Sequence, residues 1–105
     1  MSQDPQQPGG GVLERTKPEV REPERYHVLL HNDDYTTMEF VIRILEEVFL
    51  KQPAEAYRIM MKVHVEGLGL AGVYPLEIAE TKVATVHELA REHGFPLRAS
   101  AEPEF

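Results

Sequence analysis

A chain of 105 residues with 42% hydrophobic content can hold one small domain, and no stretch of it approaches the ~20 apolar residues of a membrane span. The absence of cysteine excludes disulfides and thiolate metal sites. A net charge of −7 argues against nucleic acid as a partner, because affinity for phosphate rests on Lys and Arg.

Residues 1–24 are rich in Pro, Gly, Gln and charge. They lack the apolar surface to offset their ordering entropy, so they are expected to form a disordered extension ahead of a core over residues 25–105. They contain no apolar run suited to a signal peptide, and a cytoplasmic protein is expected.

The core opens on YHVLLHNDDYTTMEF, residues 26–40. Tyr26, Val28 and Leu30 alternate with His27 and His31 in the period of two that a strand requires, with Leu29 out of phase. Asn32, Asp33 and Asp34 then break the strand, since their side chains compete for nearby backbone groups. Thr36 and Glu39 have the spacing of a capping box, which starts a helix at once. That helix carries Phe40, Val41, Ile44, Leu45 and Val48 on one face and Arg43, Glu46 and Glu47 on the other. Pro53 opens a second helix with Glu55 in its first turn. Tyr57, Met60, Met61 and His64 follow at helical spacing, and Gly67 and Gly69 end it. Val73 and Tyr74 form a short second strand. A third helix follows Pro75, with Ile78, Ala79, Val83, Val86, Leu89 and Ala90 inward, Glu80, Lys82, Glu88 and Arg91 outward, and Gly94 closing it. Phe95, Pro96 and Leu97 begin an edge strand that runs on through Ser100, because Pro96 cannot donate to a central ladder. The order β-α-α-β-α-β defines an α+β domain, a three-stranded antiparallel sheet against three helices.

A strand end and a helix start hold Asn32, Asp33 and Asp34 between them, an acidic corner that invites a cation. If the second helix lies near it, Met60, Val63 and His64 on one helix face, with Met38 and Val41, make an apolar pocket with an anionic rim. Such a pocket suits a primary ammonium attached to a large apolar side chain. Each residue also has a plain structural reading, the Asp and Asn as turn formers and the Met residues as core. A zinc or magnesium hydrolase drawn through His31, Asp33, Asp34 and His64 is the rival reading, although no HExxH motif supports it.

Three segments, HNDDYTTMEF, MMKVHVEG and AETKVATV, in this order and spacing resemble ClpS, the adaptor of bacterial ATP-dependent Clp proteolysis. Thr37 stands where that family often has Pro, and Arg98 where apolar residues are common. The resemblance implies a non-enzymatic adaptor without metal or cofactor, monomeric, that recognises N-degrons, proteins whose first residue is Leu, Phe, Tyr or Trp with a free α-amino group. Asn32, Asp33 and His64 would accept hydrogen bonds from the amine. Thr36, Met38, Val41, Met60, Val63 and Leu97 would line the side-chain pocket, and Asp34 would belong to its rim. Glu77, Glu80, Thr81 and Lys82, otherwise a solvated helix face, would dock the N-terminal domain of the unfoldase ClpA or ClpC, which would also engage the extension at residues 1–24. A recognin of similar fold serving another degradation partner is the alternative. An accepting His64 needs an unprotonated nitrogen, so binding is expected to weaken as pH falls below the ~6.5 of a free imidazole.

Overall fold

The computed structural model describes residues 24–104; apart from Glu24, the expected extension lies outside the described residues. Six elements follow in the expected order: β1 (Arg25–His31), α1 (Met38–Glu47), α2 (Pro53–Glu66), β2 (Leu68–Pro75), α3 (Leu76–Glu92) and β3 (Arg98–Pro103). The sheet is antiparallel in the order β2-β1-β3, with β1 central. Val28 and Leu30 of β1, Ala71 of β2 and Ala99 of β3 point to one side and are buried. The helices cover that side, joining Phe40, Ile44, Leu45, Ile59, Met60, Val63, Val86 and Ala90 to the same core.

α1 buries the face that its periodicity defines, but its start differs from the capping box read at Thr36 and Glu39. The N-cap is Thr37, whose Oγ1 accepts from the Phe40 N–H at 3.1 Å. The Thr36 hydroxyl is engaged in the preceding turn, donating to Asp33 at 2.7 Å. Proline in place of Thr37 would supply no such bond. α1 gives way at Leu50, which adopts φ 56 without being glycine, and Pro53 opens α2 as expected.

α2 is rotated relative to the stripe read from Tyr57, Met60, Met61 and His64. Its buried residues are Ala56, Ile59, Met60 and Val63, while Tyr57 and His64 are exposed. Small Ala56 is fully buried in the core, a place that its modest hydropathy does not announce.

β2 spans eight residues rather than the Val73–Tyr74 pair expected. Its inward positions are Gly69 and Ala71, so small residues replaced the bulky alternation that marks a strand. Gly67, not Gly69, ends α2, in the left-handed conformation at φ 96. Gly69 is needed for close approach instead: a Cβ there would lie 2.8 Å from Val63 Cγ2 and 3.4 Å from the Ile59 carbonyl oxygen. The Val63 methyl belongs to a stiff β-branched side chain, so Gly69→Ala is expected to push α2 off β2 and lower stability by about 1–3 kcal/mol. Thermal denaturation checks it, and an unchanged melting temperature would refute the tight contact.

α3 buries Ala79, Val86 and Ala90, with Val83 and Leu89 half-buried and Ile78, read as inward, exposed. His93 caps the helix and Gly94 follows it at φ 76. β3 lies at the sheet edge as expected, but begins at Arg98, so that Phe95, Pro96 and Leu97 precede it. Phe95 packs against Phe40 with the rings tilted 44° and their centroids 4.9 Å apart.

Candidate functional site

The end of β1 is tied to the end of α2. Left-handed Gly67 turns its carbonyl toward β1, where it accepts from the Asn32 N–H at 2.9 Å, while the Gly67 N–H donates to Val63 at 2.9 Å. This bond sets the acidic corner beside the last turn of α2, where His64 sits. Residues 32 sequence positions apart are thereby brought to one rim.

The corner is rigid because Asp33 organises it. Its Oδ1 accepts from the backbone N–H groups of Tyr35 (2.8 Å) and Thr36 (2.7 Å), and its Oδ2 accepts from the Thr36 hydroxyl (2.7 Å). The plain reading of Asp33 as a turn former is therefore true of it, and it leaves a further function open. An ionised carboxylate has about four acceptor sites; three are filled from within the turn, leaving acceptor capacity on Oδ2 for a ligand. Partial burial pushes the Asp33 carboxyl up, but the hydrogen bonds from Thr36 and Tyr35 outweigh it and hold the group below its usual 3.8. It stays charged.

Corner, α1 and α2 enclose a cleft of about 410 Å³. Asn32, Asp33, Asp34, Thr36 and His64 supply its polar side. Val41, Met60 and Val63 line it as buried apolar groups, and Met38, 44% exposed, is its partly exposed apolar wall. Nine of the ten residues expected at the substrate site thus line one cleft. Leu97 does not: it is buried in the core ahead of β3, where its apolar character serves packing. Thr37 and Tyr35 line the cleft without having been singled out. Tyr35 is 78% exposed on the rigid turn, and an aromatic side chain between Asp34 and Thr36 was the signal that could have found it.

The metal reading finds no geometry. Among the described residues no group of three His, Asp or Glu side chains is placed to hold an ion. His31 instead bonds Ser100 through Nε2 at 2.7 Å, within the sheet.

On α3, Glu77, Glu80 and Thr81 are exposed, as expected of a docking face. Lys82 is not a free surface charge. It is half-buried, its Nζ donates to the Val48 carbonyl at 2.7 Å, and it lies 5.6 Å from the Tyr74 ring centroid. Thr81 and Lys82 share a groove of about 480 Å³ with exposed Ile78, whereas Glu77 faces the neighbouring groove beside Tyr26.

A family model described as ATP-dependent Clp protease adaptor protein ClpS matches residues 21–100. The ATP-dependent Clp protease adapter protein ClpS of Desulfatibacillum aliphaticivorans is 54% identical over 104 residues, covering 99% of this chain and 100% of that one. Its counterpart in Nitratidesulfovibrio vulgaris (strain DSM 19637 / Miyazaki F) is 63% identical over 84 residues, covering 80% of this chain and 84% of that protein. Among solved structures, Agrobacterium tumefaciens ClpS2 bound to L-phenylalaninamide matches with a TM-score of 0.76 at 42% identity, covering 79% of this chain and 100% of the other. The corner, the α2 ending and the cleft between them all fall within the matched residues, and the chain belongs to the ClpS family of ATP-dependent Clp protease adaptor proteins.

Proposed function

We propose that the cleft reads the first residue of a substrate protein, taking a free α-amino group at Asn32, Asp33 and His64 and a Leu, Phe, Tyr or Trp side chain against Met38, Val41, Met60 and Val63. Thr36 holds the accepting carboxylate in place, and Asp34 adds negative charge at the rim. The observation that carries this reading is the single cleft with a charged acceptor at one side and buried apolar groups at the other. L-Phenylalaninamide, the molecule bound to the A. tumefaciens relative, has the matching chemistry: a primary amine beside a large apolar side chain.

Burying such a side chain is worth about 1.5–3 kcal/mol, and each hydrogen bond to a charged group about 1.5–3. The side chain alone, or any one such bond alone, falls short of micromolar affinity, which needs about 8 kcal/mol. An internal Phe brings no ammonium, and a blocked terminus brings a neutral amide. A β-branched first residue carries bulk at Cβ and meets Met38 at the cleft mouth.

The adaptor itself catalyses nothing on this reading. It works as a cytoplasmic monomer and presents Glu77, Glu80 and Thr81 on α3 to the N-terminal domain of a Clp unfoldase, ClpA or ClpC, with Lys82 supporting that face from below.

Fluorescence anisotropy with a peptide starting in free Leu or Phe tests the reading. Saturable binding lost on N-acetylation is expected, and equal affinity for the acetylated peptide would refute it. His64→Leu, which removes the ring acceptor, is expected to weaken binding of the free-amine peptide about tenfold, and unchanged affinity would remove His64 from the amine site.

A further inference from the structure

On the flank of α2 away from the cleft, that helix and residues 70–73 of β2 enclose a second groove, of about 330 Å³. Lys51, Arg58 and Lys62 line it with Glu55 as the one carboxylate, beside residues 70–73 of β2. Such a gathering runs against the balance of a chain of net charge −7. Arg58 and Glu55 pair within the helix at 3.1 and 2.5 Å. Lys51 and Lys62 make no side-chain hydrogen bond or ion pair among the described residues. Arg58 holds the Glu55 carboxyl down through its hydrogen bond, Lys51 lies near enough to help, and three cations against one carboxylate leave the groove net positive.

Among the described residues β2 is an edge strand, paired to β1 alone, and an edge presents backbone N–H and C=O groups to any chain laid along it. Its two sides differ. Gly69 and Ala71 turn inward beneath α2, while Leu68 (45% exposed) and Leu70 (42% exposed) turn outward, opposite His31 and Leu29 of β1. Ala71 is also an extra residue, sitting between the partners of Val28 and Leu29, a bulge of the kind that accumulates where a sheet edge is adapted. A strand added here must send alternate side chains to these two sides. Those on the α2 side meet cations, and those on the open side meet leucines.

We infer that the free edge of β2 docks an extended protein segment alternating acidic and apolar residues, with its carboxylates toward Lys51, Arg58 and Lys62 and its apolar side chains beside Leu68 and Leu70. Backbone pairing supplies the register and the alternation supplies selectivity, the mode of strand addition in peptide recognition. The cations turn away basic strands that an unguarded edge would accept.

The test titrates the isotope-labelled full chain, at low salt, with a short N-acetylated peptide alternating glutamate and valine; the acetyl group keeps it from an amine-reading cleft. Saturable amide shifts centred on residues 70–73 are expected. The double variant Lys51→Glu/Lys62→Glu should weaken binding about tenfold, from two partly exposed charge pairs lost and replaced by repulsion, while binding of a free-amine Phe peptide stays unchanged. A lysine–valine peptide should not bind, and proline in place of the valines should abolish binding by removing backbone donors. Equal binding of either control, shifts gathered elsewhere, insensitivity to the double variant, or no saturable binding would each overturn the inference.

Discussion

Asp33→Ala is expected to weaken binding of a peptide with a free N-terminal Phe by at least about 30-fold. Removing one partner of a hydrogen-bonded charge pair in a binding site costs ~2–5 kcal/mol, or about 30-fold to several thousand-fold in affinity, and the half-exposed position of Asp33 sets the lower end. Alanine also removes the acceptor for the Tyr35 and Thr36 N–H groups, so turn and charge are lost together. Asp33→Asn separates them, because an amide oxygen can keep both N–H bonds while the charge is gone. Asn is expected to melt slightly below the parent at neutral pH, having lost the stability that the ionised carboxylate adds there, and still to bind at least about tenfold more weakly than the parent. Parent-like affinity in Asp33→Asn would exclude the carboxylate charge from recognition. The same carboxyl contributes to acid stability. Its folded-state pKa is held below the ordinary 3.8, so its contribution is present above that value and is lost as pH falls through the lower, folded one. Asp33→Asn should therefore flatten the stability profile below about pH 4, which denaturant titrations at stepped pH would show.

What the sequence disclosed about this fold follows the size of the side chains involved. β1 and α1 were legible because Val28, Leu30, Phe40, Ile44 and Leu45 are bulky and recur at the periods of strand and helix. β2 was not, since Gly69 and Ala71 fill its inward positions, and a strand packed tightly under a helix must be small there. On α2 the buried face likewise takes in a small residue, Ala56, which hydropathy does not mark. The cap read at Thr36 falls one residue later, at Thr37, whose hydroxyl accepts from the Phe40 N–H while that of Thr36 donates to Asp33. The cleft is legible in part. Asn32, Asp33 and Asp34 announce a corner, and Met60, Val63 and His64 share a helix face, but nothing local says that the two meet. Their meeting depends on the bond from the Asn32 N–H to the Gly67 carbonyl, a long-range contact for which the family resemblance stood in. Leu97 shows the opposite failure, an apolar residue whose burial in the core is indistinguishable in sequence from a place in a pocket.

Lys82→Glu is expected to destabilise the fold by about 2–4 kcal/mol, lowering the melting temperature by roughly 10 °C or more. The ammonium donates to Val48, the C-cap residue of α1, where the helix leaves carbonyls without internal partners. Losing a charged hydrogen bond there costs about 1.5–3 kcal/mol, and loss of the contact with the Tyr74 ring adds about 0.5–1. A carboxylate in its place meets the negative end of the helix dipole, a further ~0.3–1 kcal/mol. Charge reversal at Lys82 is thus a poor probe of unfoldase docking, because it disturbs the contact between α1 and α3 on which the docking face rests. Lys82→Arg keeps a donor and should melt near the parent temperature. Glu80→Lys, at an exposed position with no side-chain bond to lose among the described residues, tests docking without that confusion: weaker binding to the unfoldase N-terminal domain, with unchanged melting temperature and peptide affinity. If instead Lys82→Glu melts with the parent and loses only the unfoldase, Lys82 swings free of Val48 in solution and belongs to the docking surface itself.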